Sequence, residues 1–408
     1  MTSQSSTNSL RSRVGALAQK VYPNLDEAAY RRARERERNA RSSSYPQSLV
    51  LPGVFGPSSK PHVVVVPYEG DAFGGWGPGE GNFYFEVAEN LRDLIGADKV
   101  SVFEVEPGTP FRKWHIDLIN FLNDVGATHM ITHIEADPAT RGQEWTWDSA
   151  FELMEKHWGG VLLGVMFDSA YRYINFRSRI LGKRSANFMV VDICMPMNDT
   201  MVNGRTEVGP VNRPMSNATL DLLSQRMSGV PKDFDVSFIG VLYPYRIELI
   251  AQLRSFGFAI AVNPHRPESE LIGESSRANQ PSWLDYMAGL AGSKATINFS
   301  QSSAGPFEQL KWRVIEAGLA GTFLLTDDKD RTRLFWDQQD YAYFNGISDL
   351  PQVVQSWLSQ PIELALASER FHERAVHLSR TEFWGSVEEG LRLRSLPSIS
   401  ASLLTSKT

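Results

Sequence analysis

The sequence predicts an α/β protein of two doubly wound, Rossmann-like domains behind a helical N-terminal extension. Three observations carry that expectation. Apolar, β-branched runs alternate with helix-forming stretches along most of the chain, the pattern of parallel sheets covered by helices. The length, 408 residues, exceeds one ordinary core and suits two of about 150 to 200 residues each. Between the two alternating halves, residues 195–232 hold Pro196, Pro210, Pro214 and Pro231 among several Asn, Ser and Gly, the composition of a connection. The expected bounds are 1–60 for the extension and linker, 61–230 and 231–380 for the two domains, and 381–408 for a last helix and tail.

The extension opens Ser/Thr-rich, and Leu10 to Tyr22 has helical spacing. Asp26 can cap a second helix, which carries six Arg against two Glu from Arg31 to Arg41. That face suits solvent; its alternative is contact with anionic lipid head groups, hence a possible peripheral membrane partner. Pro46, Pro52 and Pro57 then mark a linker. His62–Val66 is predicted as a central strand, followed by the Gly-rich loop Glu69–Gly81 and a helix over Phe83–Ile95. Strands are expected at Lys99–Val105, Thr128–Ile134, Val161–Phe167 and Met189–Cys194, with helices at Trp114–Val125 and Phe151–His157. Ligands of doubly wound sheets bind beyond the C-terminal strand ends. That rule singles out Glu69 and Asp71 in the Gly-rich loop, His133 with Glu135 and Asp137, and Asp168 with Tyr171. For His133 the competing reading is a satisfied core or rim histidine; for Asp168 it is a helix N-cap. Arg172 to Arg184 carries five basic residues, either a basic patch or a solvated face.

In the second half, strands are expected at Asp235–Gly240, Gly257–Val262, Ala295–Ser300 and Thr322–Thr326. Helices are expected from Tyr243 to Phe256, from Trp283, over Gln309–Leu319, Leu350–Leu358, Ile362–Leu378 and Glu382–Leu393. Residues 395–408 read as a Ser-rich tail.

Composition bounds the chemistry. A net charge of −6 argues against a general nucleic-acid binder, though not against a local basic cleft. The single Cys194 excludes a disulfide framework and a Cys-rich zinc site. No apolar run of about 18 residues and no signal-peptide core is present, so a cytoplasmic location is expected. Neither G-x-S-x-G nor H-E-x-x-H occurs, and no cluster has metal-ligand spacing. Asp233-Phe234-Asp235 matches D-x-D but runs into an apolar strand and reads as interdomain linker.

The most informative stretch is Glu308 to Thr326, EQLKWRVIEAGLAGTFLLT. It reads as loop, helix, then buried strand. A helix start attracts phosphate through its free N–H groups and dipole, and Lys311 and Arg313 add charge there. Glu308 and Glu316 repel phosphate but accept from hydroxyls. Acid, base, acid on one βα unit therefore suits a nucleotide-sugar. An amphipathic helix with solvated charges accounts for the same spacing.

Glu308-x7-Glu316 followed by Ala317-Gly318-Leu319-Ala320-Gly321 resembles the E-x7-E segment of GT-B glycosyltransferases. The phrase from Gln309 to Asp328 is more similar to the CgeB/YkvP-like branch, with Trp312 in place of its usual Gly and Gly318 in place of its usual Leu. The resemblance covers about residues 235–390. It implies two Rossmann-like domains facing across a cleft. It also implies that Glu316 holds the donor ribose, Glu308 faces the donor sugar, and Lys311 with Arg313 serves the diphosphate. Arg246, after the tight turn at Gly240, is a second diphosphate candidate; Ser300 and Gln301 end a strand where base or phosphate would lie. Gly74, Gly75, Glu80 and His133 fall on the acceptor side.

The activity so implied is transfer of a sugar from a nucleotide-sugar to a glycan, lipid-linked or small hydroxyl acceptor, with no separate cofactor, no metal and no nucleic acid. An inverting enzyme needs a general base, for which Asp168, Asp71, Glu80 or His133 are candidates. A retaining enzyme relies on Glu308 and the leaving phosphate instead. The alternatives are a non-catalytic nucleotide-sugar or carbohydrate binder and a GT-B-fold epimerase.

Overall fold

A computed structural model of the chain describes residues 60–67, 75–106, 108–134, 147–167, 185–194, 207–240, 244–262, 282–301, 308–327 and 329–405. They form two α/β lobes, each around an all-parallel sheet. In the first lobe the strands are β1 (Val63–Val66), β2 (Val100–Val102), β3 (His129–His133), β4 (Val161–Met166), β5 (Phe188–Asp192) and β6 (Glu207–Val208), in the spatial order β2-β1-β3-β4-β5-β6. In the second they are β7 (Phe234–Ser237), β8 (Ile260–Ala261), β9 (Ser293–Asn298), β10 (Phe323–Thr326) and β11 (Ala342–Tyr343), in the order β11-β10-β9-β7-β8. Both orders reverse direction beside the first strand of the lobe. The switch points, and hence the expected ligand positions, lie between β1 and β3 and between β7 and β9.

Every residue of β1, β3, β4, β5 and β10 is buried, because helices cover both faces of each sheet. Helix α1 (Phe83–Ile95) keeps the bounds expected of it; the Asn82 side chain accepts from the amides of Tyr84 and Phe85, which explains its sharp start. Helices α2 (Phe111–Asp124) and α3 (Trp147–His157) add to the first lobe's cover.

Three expectations need correction. First, 195–232 is more than a connection: it supplies the edge strand β6 and helix α4 (Asn217–Met227). Leu220 and Leu223 of α4 enter the second lobe's core, while Glu86 on α1 accepts from the Ser216 amide at 2.7 Å and the Thr219 hydroxyl at 2.6 Å. Second, the two helices expected after Ile362 are one, α10 (Pro361–Leu393). Its polar break is accommodated internally: the Ser379 and Thr381 hydroxyls donate to the carbonyls of Val376 and His377, and the Ser379 carbonyl accepts from the Met215 amide. Third, the tail is folded as far as α11 (Ser402–Thr405), with Ile399 and Leu403 in the first lobe's core.

The remaining second-lobe helices are α5 (Pro244–Ser255), α6 (Trp283–Ala291), α7 (Trp312–Leu319), α8 (Lys329–Arg333) and α9 (Leu350–Leu358). Helix α10 spans both lobes: Leu364, Ala367, Phe371, Ala375 and Leu378 pack in the second, and Phe383, Trp384, Val387 and Leu391 in the first. Gly318 on α7 lets α10 come close, since a Cβ there would stand 2.5 Å from the Ala375 side chain and 3.1 Å from the Phe371 carbonyl.

The folded tail is tied down by His129 at the start of β3. Its Nε2 lies 2.9 Å from the Pro397 carbonyl and its Nδ1 2.8 Å from the Thr128 hydroxyl, so a neutral ring with its proton on Nε2 donates to the carbonyl. Burial lowers its pKa from 6.5 to about 4, against the Pro397 carbonyl, which favours the charged form. The unfolded chain therefore binds the extra proton between these values. The contribution of His129 is fully present above pH 6.5 and is lost as pH falls toward 4, to a limit of about 3 kcal/mol. Thermal denaturation at pH 7.5 and 4.5 should show a larger acid loss for the parent than for His129→Gln. Equal losses would remove His129 from the acid response.

Candidate donor-binding site

The second lobe's switch point gathers arginines. Beyond β7 the chain runs through Phe238 and Ile239 to Gly240, whose φ of 155° suits glycine. The Arg313 guanidinium, from the first turn of α7, lies 4.7 Å over the Phe238 ring and donates to the Ile239 carbonyl. The Arg246 guanidinium, from the first turn of α5, lies 5.0 Å over the same ring and 5.4 Å over Phe299. A Cβ at Gly240 would stand 2.7 Å from Arg313 Nη2, so a side chain there would displace the guanidinium from its present place. Two permanently charged forks thus flank one aromatic ring at a sheet's C-terminal edge.

Beside them, β9 leads into Ser300 and Gln301. Gln301 and Glu308 form an isolated antiparallel bridge. The Ser300 amide donates to Asp327 Oδ1 at 2.7 Å, and the Ser300 carbonyl accepts from the Gln309 amide at 3.1 Å. Burial raises the Asp327 pKa, while the hydrogen bonds from Ser300 and the Lys311 charge oppose that rise. Helix α7 begins later than expected, at Trp312. Lys311 is its N-cap, in extended backbone, rather than a first-turn residue. The physical reason is tertiary: the Gln309 amide is taken by Ser300 and the Leu310 amide by the Cys194 carbonyl of the first lobe, at 3.1 Å.

Glu316 lies elsewhere on α7, at the seam between the lobes. Its Oε1 accepts from Arg213 Nη1 and Trp283 Nε1, each at 3.1 Å, and its Oε2 from the Tyr286 hydroxyl at 3.0 Å. Glu316 is buried and ion-paired. Burial, then the Glu316 charge, pushes the Tyr286 hydroxyl pKa up, while Arg313 pulls it down. Tyr286 thus feels the charges of both Glu316 and Arg313. Trp312 closes the seam by stacking on Phe83 (5.5 Å, 14°) and meeting Phe167 edge-on (5.2 Å, 85°).

On the first-lobe side, His133 ends β3, buried, with its ring 5.5 Å from Phe167 and 6.4 Å from Tyr84. It thus joins the aromatic group that receives Trp312. Glu80 folds back on its own loop: a Cβ at Gly75 would stand 3.2 Å from Glu80 Oε2. Gly79 and Gly81, with φ of 79° and 78°, press that loop on the other lobe, where Cβ atoms would meet Leu222 at 2.6 Å and Trp283 at 2.7 Å. Asp71, Gly74 and Asp168 lie outside the described residues, as do Glu69, Glu135, Asp137, Tyr171 and the Arg-rich segments 31–41 and 172–184.

Arg246, Arg313 and Gly240 are thus brought together, with Ser300, Gln301, Glu308 and Lys311 around the adjoining strand end. Glu316 is not with them. Sequence reasoning missed Arg213, Trp283, Tyr286 and Asp327. Only Asp327 carried a signal, at the C-terminal end of a buried strand. Asp235 of the D-x-D match is structural: Lys294 Nζ lies 2.8 Å from its Oδ1, and the Ala259 amide donates to its Oδ2 at 3.0 Å. Among the described residues no group of three or more His, Cys, Asp or Glu is placed to hold a metal ion, and no helix is long and apolar enough to cross a membrane.

Residues 246–381 match the family model described as glycosyl transferase-like. The second lobe thus carries a glycosyltransferase domain, and the chain is an enzyme of that kind. No curated protein matches the chain. Among solved structures, sucrose-phosphate synthase from Thermosynechococcus elongatus aligns over 82% of this chain and 99% of its own, at 11% identity and a TM-score of 0.51, which shows a shared fold. Anabaena HepE in complex with UDP and glucose (82% and 100% covered, 12% identity, TM-score 0.48) and a glycosyltransferase from Rickettsia africae (83% and 98%, 11%, 0.47) are also similar.

Proposed function

We propose that this glycosyltransferase moves a sugar from a nucleoside-diphosphate sugar to a hydroxyl acceptor, with the second lobe gripping the diphosphate through Arg313 and Arg246. The observation that carries the reading is the pair of guanidinium groups on Phe238, at the switch point where a doubly wound sheet takes its ligand. A departing diphosphate gains negative charge, and two fixed forks beside a helix start neutralise it without a metal. Lys311 adds a cation at the N-cap. Glu308, on the adjoining loop, faces the donor sugar, Ser300 and Gln301 line the nucleotide side, and Glu316 takes a ribose hydroxyl. The acceptor, a glycan, lipid-linked or small hydroxyl compound, comes from the side of Gly75, Glu80 and His133, where Asp71, Gly74 and Asp168 also fall in sequence. The CgeB/YkvP-like branch, with possible retention of anomeric configuration through Glu308, and a cytoplasmic location belong to the same proposal.

The test is incubation with a panel of nucleotide-sugars, measuring nucleotide released with and without EDTA. The expected result is release from one donor, insensitive to chelation. No release and no binding from any donor would overturn the reading; epimerised donor would assign an isomerase; loss with EDTA would overturn metal independence.

A further inference from the structure

Arg213 is among the most buried charged groups among the described residues, and the donor reading above gives it no role. Its guanidinium carbon lies 5.1 Å over the Trp283 ring and 4.7 Å over the Trp312 ring. One Nη donates to Glu316 Oε1 at 3.1 Å and the other to the Gly81 carbonyl of the first lobe. Its backbone is held on both sides: the Asn212 amide donates to Glu382 Oε2 at 2.7 Å, the Met215 amide to the Ser379 carbonyl at 2.9 Å, and the Ser216 amide to Glu86 Oε2 at 2.7 Å. A cation so placed costs desolvation, and an apolar residue between two indoles would give comparable stability. The arrangement acts on Glu316 instead.

A carboxylate offers about four lone-pair positions. Arg213 and Trp283 take two on Oε1 and Tyr286 takes one on Oε2, which among the described residues leaves one acceptor position on Oε2. We propose that Arg213 is a positioning residue: clamped between Trp283 and Trp312, it fixes the Glu316 carboxylate so that its remaining acceptor position meets a ribose hydroxyl of the donor. Trp283 Nε1 shares Oε1 with Arg213 and holds the carboxylate plane. The inference rests on the donor reading, and it locates the discrimination between ribose and deoxyribose in a network anchored at the interlobe connection.

The experiment compares UDP, ADP and GDP with their 2′,3′-dideoxy forms by calorimetric titration, on the full chain and on Arg213→Lys. Lysine keeps the charge beside Glu316 and so protects the fold, but lacks the planar fork that stacks and donates twice. The parent should bind the best ribonucleotide about 10-fold or more tighter than its dideoxy form. In Arg213→Lys that ratio should fall to about 2-fold, with the dideoxy affinity nearly unchanged; a purely structural role would weaken both forms together. A ratio retained in Arg213→Lys overturns the inference and leaves the donor reading intact. No binding of any nucleotide by the parent overturns the donor reading itself. Should Arg213→Lys unfold, Trp283→Phe, which removes one donor from the same oxygen, must lower the ratio, and its failure to do so overturns the inference.

Discussion

Trp312→Ala should lower the stability of the chain by about 2 to 4 kcal/mol and uncouple the two lobes. The indole is half-buried, so less than a fully buried Trp→Ala is expected. It nevertheless makes three specific contacts at once: a stack on Phe83, an edge contact with Phe167, and a face under the Arg213 guanidinium. Aromatic pairs add about 0.5 to 1.5 kcal/mol each beyond area, and a desolvated cation on an indole adds about as much. Removing the ring also leaves Arg213 with Trp283 alone on its faces. Scanning calorimetry should therefore show the parent's transition shifting down and splitting in two, because the seam no longer couples the lobes. Trp312→Phe should keep one transition. An unshifted single transition in Trp312→Ala would show that the seam is held elsewhere, along α10.

The second large effect is on catalysis. Arg313→Ala should lower kcat/KM for the donor by about 100-fold or more, near 3 kcal/mol of transition-state stabilisation. Charge develops on the leaving diphosphate, and Arg313 is placed with Gly240 and Phe238 where that charge would sit. Arg313→Lys should recover little, since an ammonium neither stacks on Phe238 nor forks. Arg246→Ala should lose less, about 10-fold, because Arg246 shares its face with Phe299 at the outer side of the ring. A parallel melting curve separates this from loop collapse, since Arg313 also donates to the Ile239 carbonyl. Unchanged kcat/KM in a folded Arg313→Ala would remove this residue from the diphosphate site.

Much of the architecture was legible because parallel sheets buried on both faces write continuous apolar runs. Val63–Val66, Val161–Met166 and Phe323–Thr326 are such runs, and Asn82 announces α1 with its own cap. The edge strands β6 and β11, of two residues each, are too short to carry a pattern. Helix α4 was hidden among prolines, and its packing comes from residues far away in sequence. The continuity of α10 through Ser379 to Thr381 depends on the Met215 amide, which no local pattern contains. The site divides the same way. Arg313 was marked by its place near a helix start, and Arg246 with Gly240 by the family resemblance. Arg213 gave no signal: its partners Glu316 and Gly81 are 103 and 132 positions away. Without it, nothing in the sequence marked Glu316 as the centre of an interlobe network.

The most direct test of the account is a crystal structure of the chain with the tightest-binding nucleoside diphosphate. The diphosphate should lie within hydrogen-bond distance of the Arg313 guanidinium, against Gly240 and the start of α7, with the ribose on Glu316. A nucleotide seated away from the Phe238 arginine pair, or with its phosphates turned to the first lobe, would contradict it.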